Sequence, residues 1–205
     1  MDLTYEQQKL SNGFKNICGI DEAGRGCLAG PLIAGAVIFD LNKTKNASEE
    51  VRINDSKQLT PEKRYLAFNW IINNALSWSV GVAHHFEIDK HGLSFANKIA
   101  MKRAWKYLKI KPDFIVSDYL AKLSFETPFE LIIKGDSKIF SVAAASIIAK
   151  VMRDSMMNAL AKKYPDYGFE IHKGYGTSLH YAKINELGPC PIHRLSFEPF
   201  KAKLF

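Results

Sequence analysis

Three short apolar segments of this chain each lead into an acidic residue, namely Asp21, Asp118 and Asp136. Apolar runs of this length, bounded by turn-forming residues, predict buried β-strands. The predicted strands cover residues 16–20, 114–118 and 131–136. In α/β proteins, functional groups gather where the strands of the sheet end. The pattern therefore predicts an α/β fold in which these acids meet at one edge of the sheet.

The first of these acids is followed at once by Glu22 and by the small-residue loop Gly24-Arg25-Gly26. Successive side chains of a strand point to opposite faces, so the adjacent acids can converge only if the strand ends or bends beside them. Glycine permits such a bend and lets a ligand approach the backbone. The stretch suggests a hard cation with a phosphate or sugar over the loop. An acidic pair before a glycine turn is also a common polar loop start, so both interpretations stay open on these residues alone.

Further strands and helices are predicted around this stretch. Residues 32–39 predict a strand that pairs antiparallel with the first across the glycine loop, and residues 78–83 predict another. Thr60 followed by Pro61 is a typical helix start, and apolar residues at helical spacing continue it to about residue 76. The same spacing predicts a second helix over residues 94–108.

A long helix is predicted from residue 140 to about residue 164. Its early turns, residues 143–149, are small and apolar, which suits close packing on a sheet. Lys150, Arg153 and the pair Lys162-Lys163 are expected to face outward and to border a groove for a nucleic-acid backbone. Beyond this helix the chain looks irregular.

Length and composition limit the class of protein. A chain of 205 residues with ordinary apolar content predicts one domain over residues 1–205, with residues 1–14 as an N-terminal arm. The net charge of +7 favours a polyanionic partner, although a basic surface is also compatible with no special partner. Three cysteines without Cys-x-x-Cys spacing exclude a disulfide framework and indicate a reducing compartment. No apolar run approaches the roughly 18 residues of a membrane helix, so we expect a cytoplasmic protein without a membrane partner. We also expect a monomer.

Asp21, Glu22, Asp118 and Asp136 could share one site at the sheet edge. Burial and mutual repulsion raise the pKa values of such carboxylates unless cations are bound. An oxygen-only ligand set without paired histidines favours Mg²⁺ or Mn²⁺ over zinc. Two such ions about 4 Å apart are the usual arrangement for in-line displacement at a phosphodiester. In a basic chain, the expected substrate is a nucleic acid.

Five sequence blocks in this chain resemble the ribonuclease HII family, the type 2 ribonuclease H of bacteria. They occur in the family's order within residues 15–200 and are residues 21–26 (DEAGRG), 54–59 (NDSKQL), 134–137 (KGDS) with 143–154 (AAASIIAKVMRD), 172–177 (HKGYGT) and 191–197 (PIHRLSF). The resemblance implies a ribonuclease H-like fold with a mixed five-stranded sheet flanked by helices and a helical C-terminal part. It implies a metal-dependent endonuclease that hydrolyses the RNA strand of RNA–DNA hybrids. It also implies incision 5′ of single ribonucleotides in duplex DNA, which leaves 5′-phosphate and 3′-hydroxyl ends.

Site residues follow from the same resemblance, position by position. The catalytic and metal-binding acids of the family match Asp21, Glu22, Asp118 and Asp136. The loop that reads the ribose 2′-hydroxyl matches Gly24, Arg25 and Gly26. The tyrosine that stacks on the next deoxyribose matches Tyr175, and phosphate-holding positions match Asn54, Ser56 and Lys57. Without the resemblance, Tyr175 between its two glycines could equally stack on a base or pack under a turn.

Two departures and one extra acid accompany the match. Tyr119 follows Asp118 where the family has glycine, and Gly92 stands where the family often has asparagine. Asp154 belongs to a matching block but lies about five helical turns beyond Asp136, so we interpret it as structural.

Three other functions compete with the nuclease. A non-catalytic nucleic-acid binder could use the same basic surface, but four acids in that surface would weaken phosphate binding. Another ribonuclease H-like nuclease or an integrase would share the acids but not the ribose-reading loop with Tyr175. A P-loop is the weakest alternative, because Gly24-Arg25-Gly26 lacks the Gly-Lys-Ser/Thr ending.

Overall fold

The computed structural model describes residues 1–41, 44, 53–118, 120 and 122–201. The strands are β1 (Ile17–Ala23), β2 (Leu32–Phe39), β3 (Ala75–Ala83), β4 (Phe114–Asp118) and β5 (Phe129–Ile132). The helices are α1 (Thr4–Ser11), α2 (Pro61–Asn74), α3 (His85–His91), α4 (Leu93–Tyr107), α5 (Phe140–Lys163), α6 (Phe169–His172) and α7 (Ser178–Leu187). Tyr119, whose effect on the turn after Asp118 was in question, lies outside the described residues.

The five strands form one mixed sheet in the order β3-β2-β1-β4-β5. The β1–β2 and β2–β3 pairs are antiparallel, whereas the β1–β4 and β4–β5 pairs are parallel. This confirms the predicted mixed sheet and the antiparallel pairing across the glycine loop. β1 lies at the centre and is covered on both faces, which is why its sequence before the acids is a continuous apolar run.

The prediction that β1 ends before its acids is wrong. The strand continues through Asp21, opposite Gly35, and Glu22, opposite Ala34, and ends at Ala23. The two acids therefore leave opposite faces of the sheet, as the two-residue period of a strand requires. They can still reach a common space because the strand ends directly after them.

Helices cover both faces of this sheet. α5 packs on one face, against core residues that include Val37 and Val116, and α4 packs on the other, against Ile20, Ile38 and Ile115. The small residues at the start of α5 are buried, as predicted. Burial of both faces makes the sheet a rigid platform for side chains at its edge.

Glycines in the strands allow the helices to approach the sheet closely. A Cβ atom added to Gly35 would lie 2.4 Å from the carbonyl oxygen of Ala145 in α5, and one added to Gly19 would lie 2.2 Å from the carbonyl carbon of Ser141. On the opposite face, a Cβ atom at Gly81 would lie 2.0 Å from the carbonyl oxygen of Ala100 in α4. Backbone atoms cannot move aside as side chains do, so these positions require glycine.

We expect Gly35→Ala to destabilise the fold by about 2–3 kcal/mol, because strand and helix must separate to admit one methyl group. Urea unfolding followed by circular dichroism measures the change. Gly26→Ala is the control, because no atom lies within 4 Å of a Cβ atom added there; its free energy of unfolding should change by no more than about 0.5 kcal/mol. Equal stability of the two variants would contradict the close packing of α5 on β2.

Other element boundaries also differ from the predictions. β5 ends at Ile132, and Lys134 adopts a left-handed conformation before a short 3₁₀ turn over Gly135–Ser137. Asp136 therefore lies in a turn rather than in a strand. The chain beyond α5 is not irregular: α6 and α7 form the helical C-terminal part that the family resemblance implied. Within the described residues, no helix has both the length and the apolar content to cross a membrane.

Candidate active site

A cavity of about 250 Å³ lies at the edge of the sheet where β1 and β4 end. It is lined by Asp21, Glu22, Ala23, Gly24, Arg25, Gly26, Ser56, Lys57, Asp118, Asp136, Lys150 and Tyr175. The structure thus brings together in one cavity every predicted site residue except Asn54. Asn54 lies outside the lining, and its side-chain amide donates to Gln58 Oε1 at 3.1 Å.

The acids reach the cavity from three parts of the chain. Asp21 and Glu22 come from β1, and Asp118 is the last residue of the parallel neighbour β4, so both strands deliver their carboxyl ends to the same edge. Asp136 comes from the turn before α5. This turn is tied to β4 because Asp118 Oδ1 accepts the backbone N–H of Lys134 at 2.9 Å.

Asp21, Glu22 and Asp136 have pKa values above those of ordinary carboxyls. Burial raises the pKa of Asp21 well above its usual range, and the charges of Glu22 and Asp136 raise it further. Burial also raises the pKa of Glu22, partly offset by the Arg25 guanidinium, whose Nη1 lies 3.4 Å from Glu22 Oε1. The pKa of Asp136 is raised by burial and by Asp55, against the opposing charge of Lys57, whose Nζ lies 3.7 Å away. The site therefore has more negative charge than its own cations neutralise.

This donor set fits a hard divalent cation. Its ligands are carboxylate oxygens, which Mg²⁺ and Mn²⁺ prefer, and a bound cation would relieve the repulsion that raises their pKa values. Within the described part of the chain, no three His, Cys, Asp or Glu side chains lie close enough together to hold a metal ion as they stand.

The glycine loop presents bare backbone to the cavity. Gly24 has a φ of +95°, a conformation that favours glycine, and a Cβ atom there would lie 2.1 Å from Arg153 Nε. No atom lies within 4 Å of a Cβ atom added to Gly26. The space over Gly26 is therefore open to a sugar or a phosphate.

Tyr175 forms one wall of the cavity beside this loop. It makes an isolated β-bridge with Cys27, and the neighbouring Gly174 carbonyl accepts the Leu28 N–H at 2.8 Å. Lys150 Nζ and Arg153 Cζ lie 5.2 and 5.4 Å from the centre of its ring. The side chain is 36% exposed, so part of the ring remains free for a ligand.

Comparison with known proteins adds to this geometry. A family model described as Ribonuclease HII matches residues 18–200. The Ribonuclease HII of Dehalococcoides mccartyi is 46% identical over 197 residues, which are 96% of this chain and 92% of that protein. That of Bacillus licheniformis is 44% identical over 199 residues, which are 97% of this chain and 76% of that protein.

The chain belongs to the ribonuclease HII family.

The solved structures agree with this membership. The crystal structure of ribonuclease H2 from Pyrococcus horikoshii OT3 has a TM-score of 0.76 to this chain at 30% sequence identity, and the match covers 91% of this chain and 96% of that one. The resemblance inferred from the sequence blocks is confirmed, as is the ribonuclease H-like fold. This ribonuclease HII family member is an endonuclease that degrades the RNA strand of RNA–DNA hybrids.

Two buried arginines of this ribonuclease HII family member bind backbone carbonyls of the loops around the site. Arg153 was expected to face outward, but it is fully buried, and its guanidinium donates to the carbonyls of Pro31 at 3.0 Å, Lys173 at 2.9 Å and Ala29 at 3.2 Å. These carbonyls belong to loops outside the strand ladders, so they need a donor elsewhere, and the planar guanidinium supplies several in fixed directions.

The second arginine, Arg194, was not predicted to support the site. It is also buried and donates to the carbonyl of Gly30 at 3.1 Å and to that of Arg25 at 2.9 Å. Its signal was its place in the matching block 191–197, although the block did not show what Arg194 contacts. Arg194 thus holds the glycine loop through the Arg25 carbonyl, and Arg153 links the segment that follows this loop to Lys173 in the C-terminal part.

Lys150 of the long helix lies where the cavity meets a second groove. Lys150 lines the cavity, and its Nζ donates to Asp154 Oδ1 at 2.7 Å. Lys150 and Tyr175 also line an adjoining groove of about 630 Å³ between α2, α5 and the segment after α6. Asp154 lines that groove and not the acidic cavity, which supports the interpretation that it is structural.

Proposed function

We propose that this chain, besides degrading hybrids, incises duplex DNA on the 5′ side of a single embedded ribonucleotide and leaves 5′-phosphate and 3′-hydroxyl ends. One observation carries the proposal. The four acids line the same cavity as a bare backbone loop and an exposed tyrosine, so the cleaving groups and the groups able to recognise a ribose meet in one place.

In this proposal Asp21, Glu22, Asp118 and Asp136 hold Mg²⁺ or Mn²⁺ at the phosphodiester. Two such ions, when bound, supply activation of the attacking water and stabilisation of the leaving oxygen. The carboxylates themselves provide the negative charge that retains the cations, and their placement on two parallel strands and a tied turn sets where the phosphate must lie. Lys57, 3.7 Å from Asp136, neutralises part of this charge before the cations bind.

Recognition of the ribonucleotide is assigned to the loop and the tyrosine. The open space over Gly26 lets a sugar approach the main chain, where N–H and C=O groups can bond to a 2′-hydroxyl. The Arg25 carbonyl is already paired with Arg194, which orients the loop. Tyr175 would stack on the deoxyribose that follows, so a ribose at that next position, as in a long hybrid, would be accommodated less well.

Ser56 and Lys57 are assigned to phosphate binding from the rim of the cavity. Ser56 is held in place because its Oγ lies 2.7 Å from Ser146 Oγ at the start of α5. The matching role for Asn54 has less support, since this side chain is paired with Gln58 and lies outside the lining. A cytoplasmic location and a monomeric state belong to the same proposal.

The test is cleavage of a labelled DNA duplex that carries one ribonucleotide, with Mg²⁺ or Mn²⁺, beside an all-DNA duplex. We expect a metal-dependent nick 5′ of the ribonucleotide. Asp136→Asn should lower the rate by about 10³-fold or more, because it removes one of the charges that hold the cations. Asp166→Asn is the control, an exposed acid just after α5 that lines neither the cavity nor the adjoining groove, and should stay within a few-fold of the parent.

Two outcomes would redirect the proposal. Cleavage of long hybrids without incision of the single-ribonucleotide duplex would contradict the assignment of the glycine loop and Tyr175. Tight binding of both duplexes without any cleavage would favour a non-catalytic binder over the nuclease.

A further inference from the structure

Three buried histidines lie directly behind the segment that carries Tyr175, and none of them lines the acidic cavity. The ring centres of His172 and His180 are 4.2 Å apart, with the rings nearly parallel. His180 Nε2 lies 3.0 Å from His193 Nε2. The protons of the hydrogen-bonded pair must be ordered, because one of its two nitrogens has to donate and the other has to accept.

The proton positions of His172 follow from the backbone around it. The N–H of Gly174 donates to His172 Nδ1 at 3.2 Å, so this nitrogen carries no proton. His172 Nε2 is then protonated and donates to the carbonyl of Tyr167 at 2.8 Å. The result is a neutral imidazole that fixes the residue immediately before Tyr175.

The proton positions of the other two histidines follow in sequence. The N–H of Cys190 donates to His193 Nδ1 at 2.9 Å, whereas the Cys190 carbonyl lies farther from this nitrogen, at 3.2 Å, and accepts the His193 backbone N–H at 3.0 Å. His193 therefore carries its proton on Nε2 and donates it to His180 Nε2. This leaves the proton of His180 on Nδ1, which donates to the carbonyl of Tyr175 at 2.9 Å.

We propose that His193 and His180, a directional hydrogen-bonded pair of neutral imidazoles, together with His172, which stacks on His180, act as the positioning device for Tyr175. His180 holds the carbonyl of Tyr175, His172 holds the N–H of the preceding residue, and His193 fixes the tautomer of His180. None of the three touches the cavity, so they are positioning residues that act through Tyr175. This inference rests on the role that the proposed function gives to Tyr175.

The surroundings keep the three imidazoles neutral. Burial lowers the pKa values of His180 and His193 to about 4 and also lowers the pKa of His172. The titratable and charged groups that face the cluster are Glu170 and Lys173 beside His172, His85 of α3 and Arg194 beside His193, and Tyr167 and Cys190 at its edges. An added proton on His180 Nε2 would place two N–H groups against each other at 3.0 Å, and an added proton on His193 Nδ1 would oppose the Cys190 N–H at 2.9 Å.

The first measurement is the tautomer of each ring from long-range ¹H–¹⁵N spectra of the intact protein, assigned by one His→Gln variant at each position. We expect His172 and His193 with the proton on Nε2, and His180 with the proton on Nδ1, unchanged from pH 8 down to pH 6. A proton on Nε2 of His180, or a charged ring in this range, would overturn the proposal. This readout needs no activity.

The second measurement is kcat and KM on the single-ribonucleotide duplex for His180→Leu and His180→Asn. The asparagine amide places an N–H where the imidazole has Nδ1–H, so it can still donate to Tyr175, whereas leucine cannot. We expect a roughly tenfold loss of kcat/KM for His180→Leu, the scale of a lost buried hydrogen bond, and recovery of most of it in His180→Asn. Thermal unfolding identifies variants that fail to fold. If a variant does not fold, the ring spectra of the parent protein test the proposal instead.

Combining His180→Leu with Tyr175→Ala distinguishes a failure of this inference from a failure of the proposed function. If His180 acts through Tyr175, His180→Leu should cost nothing further in that background. An equal loss in both backgrounds would overturn the positioning role while leaving the nuclease intact. Full activity of Tyr175→Ala would overturn the role proposed for Tyr175 and the inference that rests on it.

Discussion

Asp21→Asn is expected to abolish cleavage and, at the same time, to stabilise the protein when no metal is present. Asp21 is buried at the centre of the sheet edge, and burial with the charges of Glu22 and Asp136 raises its pKa well above the usual range. A neutral amide of the same shape avoids both the burial of a charge and the repulsion. Groups arranged for function commonly lower the stability of the fold in this way.

The pH dependence of this effect follows from the direction of the pKa shift. Because the folded state binds the Asp21 proton more tightly than the unfolded chain does, the parent protein loses stability as the pH rises through the raised pKa. Asparagine has no proton to lose, so the variant keeps its stability. We expect the variant to be more stable by about 1–2 kcal/mol at pH 8 in EDTA, and the difference to vanish near pH 4.

Urea unfolding at several pH values, in EDTA and in Mg²⁺, measures both effects. Mg²⁺ should raise the midpoint of the parent protein more than that of the variant, since only the parent retains the full set of carboxylates. The rate of hybrid cleavage by the variant should fall by about 10³-fold or more. Equal stability of parent and variant at pH 8 without metal would contradict the excess of negative charge in this cavity.

Arg153→Met is expected to cause the largest loss of stability, about 3–5 kcal/mol. It removes the donors of three backbone carbonyls, those of Pro31, Ala29 and Lys173, and leaves them without that partner in the interior. Arg153→Lys should recover only part of the loss, because one ammonium group cannot reach carbonyls in three directions. The loop above, where Gly24 rests on this guanidinium, should lose its shape in both variants.

Arg103→Met is the matched control for this substitution. Arg103 also bonds a carbonyl, that of Val82 at 2.6 Å, and forms an ion pair with Glu87 at 2.8 Å, but its side chain is partly exposed on α4. Its loss should cost about 1 kcal/mol, as for other surface pairs. Urea unfolding of the three variants gives the comparison. A cost for Arg153→Met no greater than that for Arg103→Met would show that the buried guanidinium is not what holds the loops together.

Much of the local structure was accessible from sequence. Apolar runs predicted β1, β2 and β4, the Thr60-Pro61 pair predicted the start of α2, and Thr60 Oγ1 does accept the Lys63 N–H. The family blocks predicted which side chains share a cavity: eleven of the twelve lining residues, Tyr175 among them, fall within those blocks, and the twelfth is Asp118 at the end of its strand. These signals are local because propensity, capping and short motifs depend on neighbouring residues.

Side-chain direction was less accessible. From the sequence, Arg153 was predicted to be a surface cation of a helix. Its neighbours in the sequence do not show that its guanidinium binds a carbonyl that lies far away in the chain. The ends of β1 and β5 were misplaced because a sequence pattern does not show where a ladder of neighbours continues or stops. No helix was predicted between residues 83 and 94, yet α3 begins at His85, where Glu87 accepts the His84 N–H at 3.0 Å.

The sequence by itself determined the fold class, the family and which acids lie at the sheet edge, since each depends on composition and order along a short stretch. Only the tertiary structure decided that Asp21 and Glu22 meet from opposite faces, that Arg153 and Arg194 bind the carbonyls of the glycine loop and the segment after it, and that three histidines lie together behind Tyr175. The physical reason is the same in each case. Burial and hydrogen-bond partners are set by contacts between segments that lie far apart in the chain, and such contacts exist only once the sheet and its helices have packed.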